Sequence, residues 1–125
     1  MSGTITSQLI FSAVNGSFVD SFSVPASAPE TLTQTTEGGG NPGYVAIGTS
    51  EEDIAFGDVT PRVVIIENLD ATNFVEYGPN SGGSMIAFGR IEPGSFAKFS
   101  LKSGVTLRMK ADTAAVNVRI RGYNA

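Results

Sequence analysis

The chain is 125 residues long, with no Cys, His or Trp, a formal net charge of −4 and only 16% charged residues, below the usual quarter or so. This length suits a single domain with a real core. The missing residues exclude disulfides, thiolate nucleophiles, Cys-containing zinc sites, Ser-His-Asp triads and any histidine acid, base or metal ligand.

Fifteen Gly and six Pro keep the elements short, and the hydrophobic period is two almost everywhere. Ile5, Leu9, Phe11 and Ala13 share one parity. Asn15-Gly16 is a hairpin signal of the type I′ kind, and Phe18, Phe22 and Val24 return on one face, interrupted by Asp20. Residues 4–24 therefore read as a hairpin. Pro25, Pro29 and Pro42 break any ladder, so 25–43 reads as an extended arm or a long crossing loop. Its Gly38-Gly39-Gly40-Asn41-Pro42-Gly43 stretch is expected to be flexible.

Strands are expected at Tyr44–Gly48, Ile54–Val59 and Val63–Leu69. The β-branched run Val63-Val64-Ile65-Ile66 suits a central strand. Asp70-Ala71-Thr72-Asn73 is a turn. Phe74–Gly78 and Met85–Ile91 are strands separated by the turn 79–83. Glu92-Pro93-Gly94-Ser95 has Pro and Gly placed for a type II turn. Phe96–Leu101 and Val105–Lys110 read as a hairpin. In the last strand Ala114, Val116, Val118 and Ile120 alternate with Asn117, Arg119 and Arg121. Eight to ten short strands without a convincing helix indicate an all-β, antiparallel β-sandwich, with jelly roll the leading topology. The whole of 1–125 is expected to be one β domain.

Charge is unevenly spread. Residues 1–61 carry −7 and no cation, residues 62–125 carry +3, and the last 28 residues carry +5. Such a split fits either a complementary neighbour or self-complementarity within the chain. Arg108, Lys110, Arg119 and Arg121 are candidates for a basic sheet face that meets an acidic surface. Thr31, Thr33 and Thr35 favour extended structure and are candidates for adding a strand to a neighbour's sheet.

Chemistry is sparse. Gly38–Gly43 matches G-x-G-x-x-G, but no helix follows to hold a phosphate. Glu51, Glu52, Asp53 and Asp58 cluster as in a carboxylate hydrolase or a Ca²⁺ loop, yet a solvated turn explains them as well. A sequence pI near 4.6 argues against free nucleic acid as a ligand. The N-terminus has no signal-like segment, and no apolar run reaches membrane-spanning length. The residues thus lead to no catalytic group, no cofactor and no metal.

One long stretch has a familiar pattern. Val63-Val64-Ile65-Ile66-Glu67-Asn68-Leu69-Asp70-Ala71-Thr72-Asn73-Phe74-Val75-Glu76-Tyr77-Gly78 resembles small β-sandwich virion proteins of tailed bacteriophages and prophages. So do Arg90-Ile91-x-Pro93-Gly94, Phe96-Ala97 and Leu107-x-x-Lys110-Ala111-Asp112-Thr113-Ala114. The similarity covers about residues 44–121. It implies a structural role in a virion, with capsid or other virion proteins as partners and no catalytic residues to carry over. The leading expectation is a capsid decoration or cement protein, assembled as a symmetric homo-oligomer such as a trimer. A neck or tail component is the alternative within that class. A carbohydrate- or receptor-binding β-sandwich module is the alternative outside it.

Overall fold

The computed structural model describes residues 3–35 and 38–125. Among them the fold is all β, with thirteen strands and no helix, and every strand pairing is antiparallel. The count exceeds the expected eight to ten because two strands have only two residues and the N-terminal hairpin is broken in two. The chain divides into two compact units, one N-terminal through residue 37 and one spanning Gly38–Asn124. One domain was expected for the whole of 1–125.

The first unit is a two-stranded ribbon. Strands β1 (Gly3–Ser7) and β4 (Glu30–Gln34) pair antiparallel, as do β2 (Leu9–Asn15) and β3 (Phe18–Val24). One ladder ends at Ser7↔Glu30 and the next begins at Leu9↔Val24. Between them Gln8 alone faces residues 25–29, and its Nε2 donates to the Pro25 carbonyl at 3.2 Å. Pro25 and Pro29 flank this break, where no ladder N–H is needed. The hairpin closes at Asn15↔Phe18 around Gly16 and Ser17. Only Gly16 has positive φ, 59°. Gly therefore takes the first central position of a type II′ turn, not the second of the expected type I′.

The second unit is an eight-stranded jelly roll with one added short strand. Its first sheet contains β5 (Gly39–Ile47), β7 (Val63–Asn68), β11 (Phe96–Ser100) and β13 (Val116–Tyr123), in the order β11-β7-β13-β5. Its second contains β6 (Glu52–Asp53), β8 (Val75–Ser81), β10 (Gly89–Ile91) and β12 (Leu107–Ala111), in the order β10-β8-β12-β6, with β9 (Ser84–Met85) also on β8. The chain changes sheet at every connection except β8 through β10. Pairing is nested, first strand with last: β5 with β13, β6 with β12, β7 with β11, β8 with β10. This nesting is the double Greek key of a jelly roll.

The core lies between these two sheets. Ile47, Val64, Ile66, Val75, Met109, Val116, Val118 and Ile120 are fully buried. From Val116 the alternation on β13 runs as the sequence predicts, with Val116, Val118 and Ile120 inward and Asn117, Arg119 and Arg121 outward, whereas Ala114, expected on the inward face, precedes the strand and is exposed.

Several expected elements are redrawn. Residues 54–59 are not a strand, yet Ile54, Phe56 and Val59 are buried. They plug one margin of the core while Gly57, at φ 62°, turns the chain. The stretch 38–43, expected as a loop, largely enters β5. Pro42 is tolerated there because β5 is an edge strand and its missing N–H faces no neighbour. Residues 25–43 therefore form no single arm; they contribute to the ribbon's break, to β4 and to β5. Finally, β11 and β12 share the 102–104 turn, in which Val105 N–H donates to the Lys102 carbonyl at 3.1 Å. They belong to different sheets and are not a hairpin.

Candidate functional site

The ribbon is the least expected surface. Directly opposed residues of an antiparallel pair share a face, and neighbours along a strand alternate. One face of β2–β3 therefore carries Leu9, Phe11, Phe18, Phe22 and Val24, and the other carries Ile10, Val14 and Val19. Phe11 and Phe22 stack at 4.9 Å between ring centroids. All eight side chains are exposed, from 41% for Phe11 to 78% for Ile10. A scatter of exposed apolar residues needs no explanation, but a continuous two-sided patch does. The sequence held a signal for it: Ile10 and Val14 fall on the parity opposite to Leu9 and Phe11, and Val19 on the parity opposite to Phe18 and Phe22, so no register can bury one face and wet the other.

The threonine candidates lie in the same unit. Thr31 pairs with Thr6 and Thr33 with Thr4, so their backbone is already in a ladder. Thr31, Thr33 and Thr35 are exposed. Thr36 lies outside the described residues.

The four basic candidates do not form one face. Arg108 and Lys110 point outward from β12, whereas Arg119 and Arg121 point outward from β13 in the opposite sheet. Alternation puts each pair on the outer side of its own layer, so the core separates them. Arg108 is committed within the chain. Its Nε donates to Asp53 Oδ1 at 2.7 Å, and its Nη1 donates to Glu51 Oε1 at 3.1 Å and to the Gly83 carbonyl at 2.7 Å. Its side chain is only 17% exposed. Arg119 Nη1 donates to the Tyr44 hydroxyl at 3.2 Å and lies over that ring. Lys110 stands opposite Glu76.

These contacts resolve the acidic cluster. Glu51 also accepts from Met85 N–H at 2.7 Å, and Asn80 Nδ2 donates to Asp53 at 3.2 Å. The Met85 N–H, followed by Arg108, holds the Glu51 carboxyl below its ordinary range, and Arg108 does the same for Asp53. Glu52 accepts from Gly48 N–H. Among the described residues no three potential ligands converge to hold a metal ion. The carboxylates fasten β6 and the β8–β9 turn to β12. Part of the charge split along the chain is thus neutralised internally. The unit spanning 38–124 holds all eight cations against nine acids.

Residues 68–73 and 92–95 are turn chemistry. Asn68 is 1% exposed. Its Nδ2 donates to the Asn73 and Ile91 carbonyls, both at 3.0 Å, and its Oδ1 accepts from Asp70 N–H at 2.8 Å. Asp70 Oδ2 then accepts from Asn73 N–H at 2.7 Å and Thr72 N–H at 3.0 Å, and these bonds depress its pKa. Gly94, at φ 75°, completes the expected type II turn, with Ser95 N–H donating to the Glu92 carbonyl. Every polar group here serves the fold.

One groove, of about 440 Å³, opens in the jelly roll beside Tyr77, Phe88, Phe99, Leu101, Val105 and Leu107. Tyr77 and Phe99 stack at 5.6 Å, and Phe88 is 82% exposed. At Gly78, which also lines it, a Cβ would collide with the Ile86 carbonyl, so the returning backbone can approach only because this residue is glycine. Lys102 is the one cation in the lining, which also includes Ser100. The groove can hold an apolar or ring-shaped group. No protein-family model, no curated protein and no solved structure matches the chain.

Proposed function

We propose that this chain is a non-enzymatic structural component of a tailed-phage virion, a capsid decoration or cement protein that bridges neighbouring shell subunits. The observation that carries this reading is the two-stranded ribbon with large apolar side chains exposed on both faces. An isolated hairpin is marginal in water, and such a surface is useful only when neighbours cover it. The jelly roll supports the reading by fold-level analogy, since viral capsid domains use this architecture. The resemblance over residues 44–121 lies wholly within that unit. The working parts are the ribbon and the outer faces of the two sheets, and the partners are capsid or other virion proteins. A neck or tail position is the alternative within this class. Particles assembled without the protein should lose stability to heating or to low ionic strength and recover it on adding the purified chain. Equally stable particles would sink the cement role.

A second reading, a carbohydrate- or receptor-binding module, is favoured by the groove beside Phe88, because exposed rings are platforms for sugars and jelly rolls include lectin domains. It predicts glycan-array hits that Phe88→Ala abolishes. An array without hits removes it.

A further inference from the structure

We propose that the open edge of β11 and the groove beside it form one acceptor site for an extended segment of a partner protein. The segment joins the first sheet of the jelly roll as an added strand, sets an apolar or aromatic side chain into the groove and brings a carboxylate to Lys102. In taking that segment from a shell protein the proposal rests on the virion reading; the chemistry of the site does not.

Among the described residues the two sheets of the jelly roll end on β11, β5, β10 and β6. Three of these edges are blunted: β5 carries Pro42, β10 has three residues and β6 has two. Proline and shortness both discourage strand addition. Strand β11 has five residues, without Pro, Gly or a shift of register, and pairs with β7 alone. The Asn68 N–H donates to the Ser95 carbonyl at 2.9 Å, and the Leu101 N–H donates to the Arg62 carbonyl at 2.8 Å. Bonding positions alternate along an antiparallel ladder, so Ala97 and Phe99 also bond toward β7. Phe96 and Ser100 turn their N–H and C=O groups to the open side.

The groove runs from that edge into the space between the sheets. Tyr77 and Leu107 line it from the second sheet, and Phe99 and Ser100 line it from β11 itself. Side chains of an added strand would alternate between the outer face, beside the half-exposed Phe96, and this inner space. There the Tyr77/Phe99 stack is a flat floor, and Phe88, edge-on to Tyr77 at 6.4 Å, is an exposed wall. Main-chain bonding along an edge, with a pocket for alternate side chains, is how sheet edges recognise extended peptides.

Charge selects the occupant. Between Glu92 and Asp112 the chain carries Lys98, Lys102, Arg108 and Lys110 and no acid. Arg108 is bound to Glu51 and Asp53. Lys102 is exposed, lines the groove and, among the described residues, enters no ion pair. The groove lining holds no acid to answer it. A segment with a carboxylate where it passes the 102–104 turn is attracted there, and a basic segment is repelled. A second β11 laid along the same edge would bring more cations and no acid, so the occupant is an acidic segment of another protein.

Fluorescence anisotropy on the full-length chain tests this with short labelled peptides of alternating Thr and Phe. Two carry Asp, one at its first position and one at its last, and two counterparts carry Lys instead. At least one acidic peptide should bind, and its Lys counterpart should bind about tenfold more weakly or worse. Ser100→Pro removes an N–H on the open side, where an edge strand tolerates proline, and should weaken binding about tenfold. Lys102→Glu should reverse the preference between Asp and Lys. No binding by either acidic peptide below about 1 mM, equal binding to Ser100→Pro, or an unchanged preference in Lys102→Glu would each overturn the proposal. N-methylation of the peptide reads the same bonds with the protein intact: methyls on alternate residues should abolish binding in one parity and spare it in the other. Equal effects in both parities would overturn the strand geometry. Particles supplied with each chain separate this site from the virion reading. Full stabilisation by Ser100→Pro overturns the site as the shell contact and leaves the cement role standing. Peptide binding without stabilisation by the wild-type chain keeps the acceptor site and removes the cement role.

Discussion

The ribbon and the jelly roll use the same local grammar and reach opposite states. Strand β13 alternates Val116, Val118 and Ile120 with Asn117, Arg119 and Arg121, and its apolar set is fully buried. Strands β2 and β3 alternate too, but Ile10, Val14 and Val19 occupy the parity that β13 reserves for polar groups. The jelly roll has a second sheet to receive its apolar side chains; the ribbon's two strands have no second layer of their own. Period-two patterning makes a strand, and a second layer makes a core. A strand that is apolar on both sides needs two such layers.

The sharpest way to break this comparison is to damage the jelly roll. Ile66→Ala or Ile120→Ala should cost about 2–5 kcal/mol in chemical denaturation, as cavity-forming substitutions at fully buried sites do. Phe18→Ser in the ribbon should leave that transition within about 0.5 kcal/mol of wild type, the usual range for exposed sites. Equal effects would show that the two units unfold as one. Asn68→Ala should come next. It strands the Asp70 N–H and the Ile91 and Asn73 carbonyls, and each orphaned buried group costs about 1–3 kcal/mol. A midpoint unchanged from wild type would remove Asn68 from the fold's supports.

Acid should act on the jelly roll through Asp70, Asp53 and Glu51, whose pKa values are all depressed in the folded chain. Such carboxylates add stability that is fully present above the unfolded value and is lost as pH falls through the folded one. Denaturation midpoints should therefore decline below about pH 4, and Asp70→Asn should flatten that decline. A wild-type midpoint independent of pH in this window would refute the assignment. The smallest effect is expected from Arg108→Gln, which frees β6. The Glu51 and Asp53 pKa values, followed by NMR titration, should rise toward their ordinary range. If the Asp53 value stays low, Arg108 is not its main partner.

Much of the jelly roll was legible residue by residue. The Asp70 turn, the Pro93-Gly94 turn and the β13 alternation follow from chemistry acting across two to four positions. The same short range governs the turn after β7, where Asn68 and Asp70 bond groups only a few residues away apart from the Ile91 carbonyl. Less of the candidate site could be read. The basic residues were grouped by sequence proximity, but the fold places Arg108 and Arg119 on opposite layers. Thr31, Thr33 and Thr35 suggest a segment free to join a neighbour's sheet, but residues 31–34 are paired with β1. The groove brings Tyr77, Phe88 and Phe99 together from three segments, and no spacing announces that.

By itself the sequence determined the class of structure: short strands of period two, turns at Gly16, Asp70 and Gly94, and no Cys or His on which to build common catalytic chemistry. Those properties depend on backbone sterics and side chains within reach of one turn. Tertiary structure alone decided which strands share a sheet, which charges are neutralised and which apolar faces stay uncovered. Arg108 meets Glu51 across 57 positions of chain, and β5 meets β13 from opposite ends of the jelly roll. Such pairings are selected by the burial they jointly achieve, and burial is a property of two layers meeting.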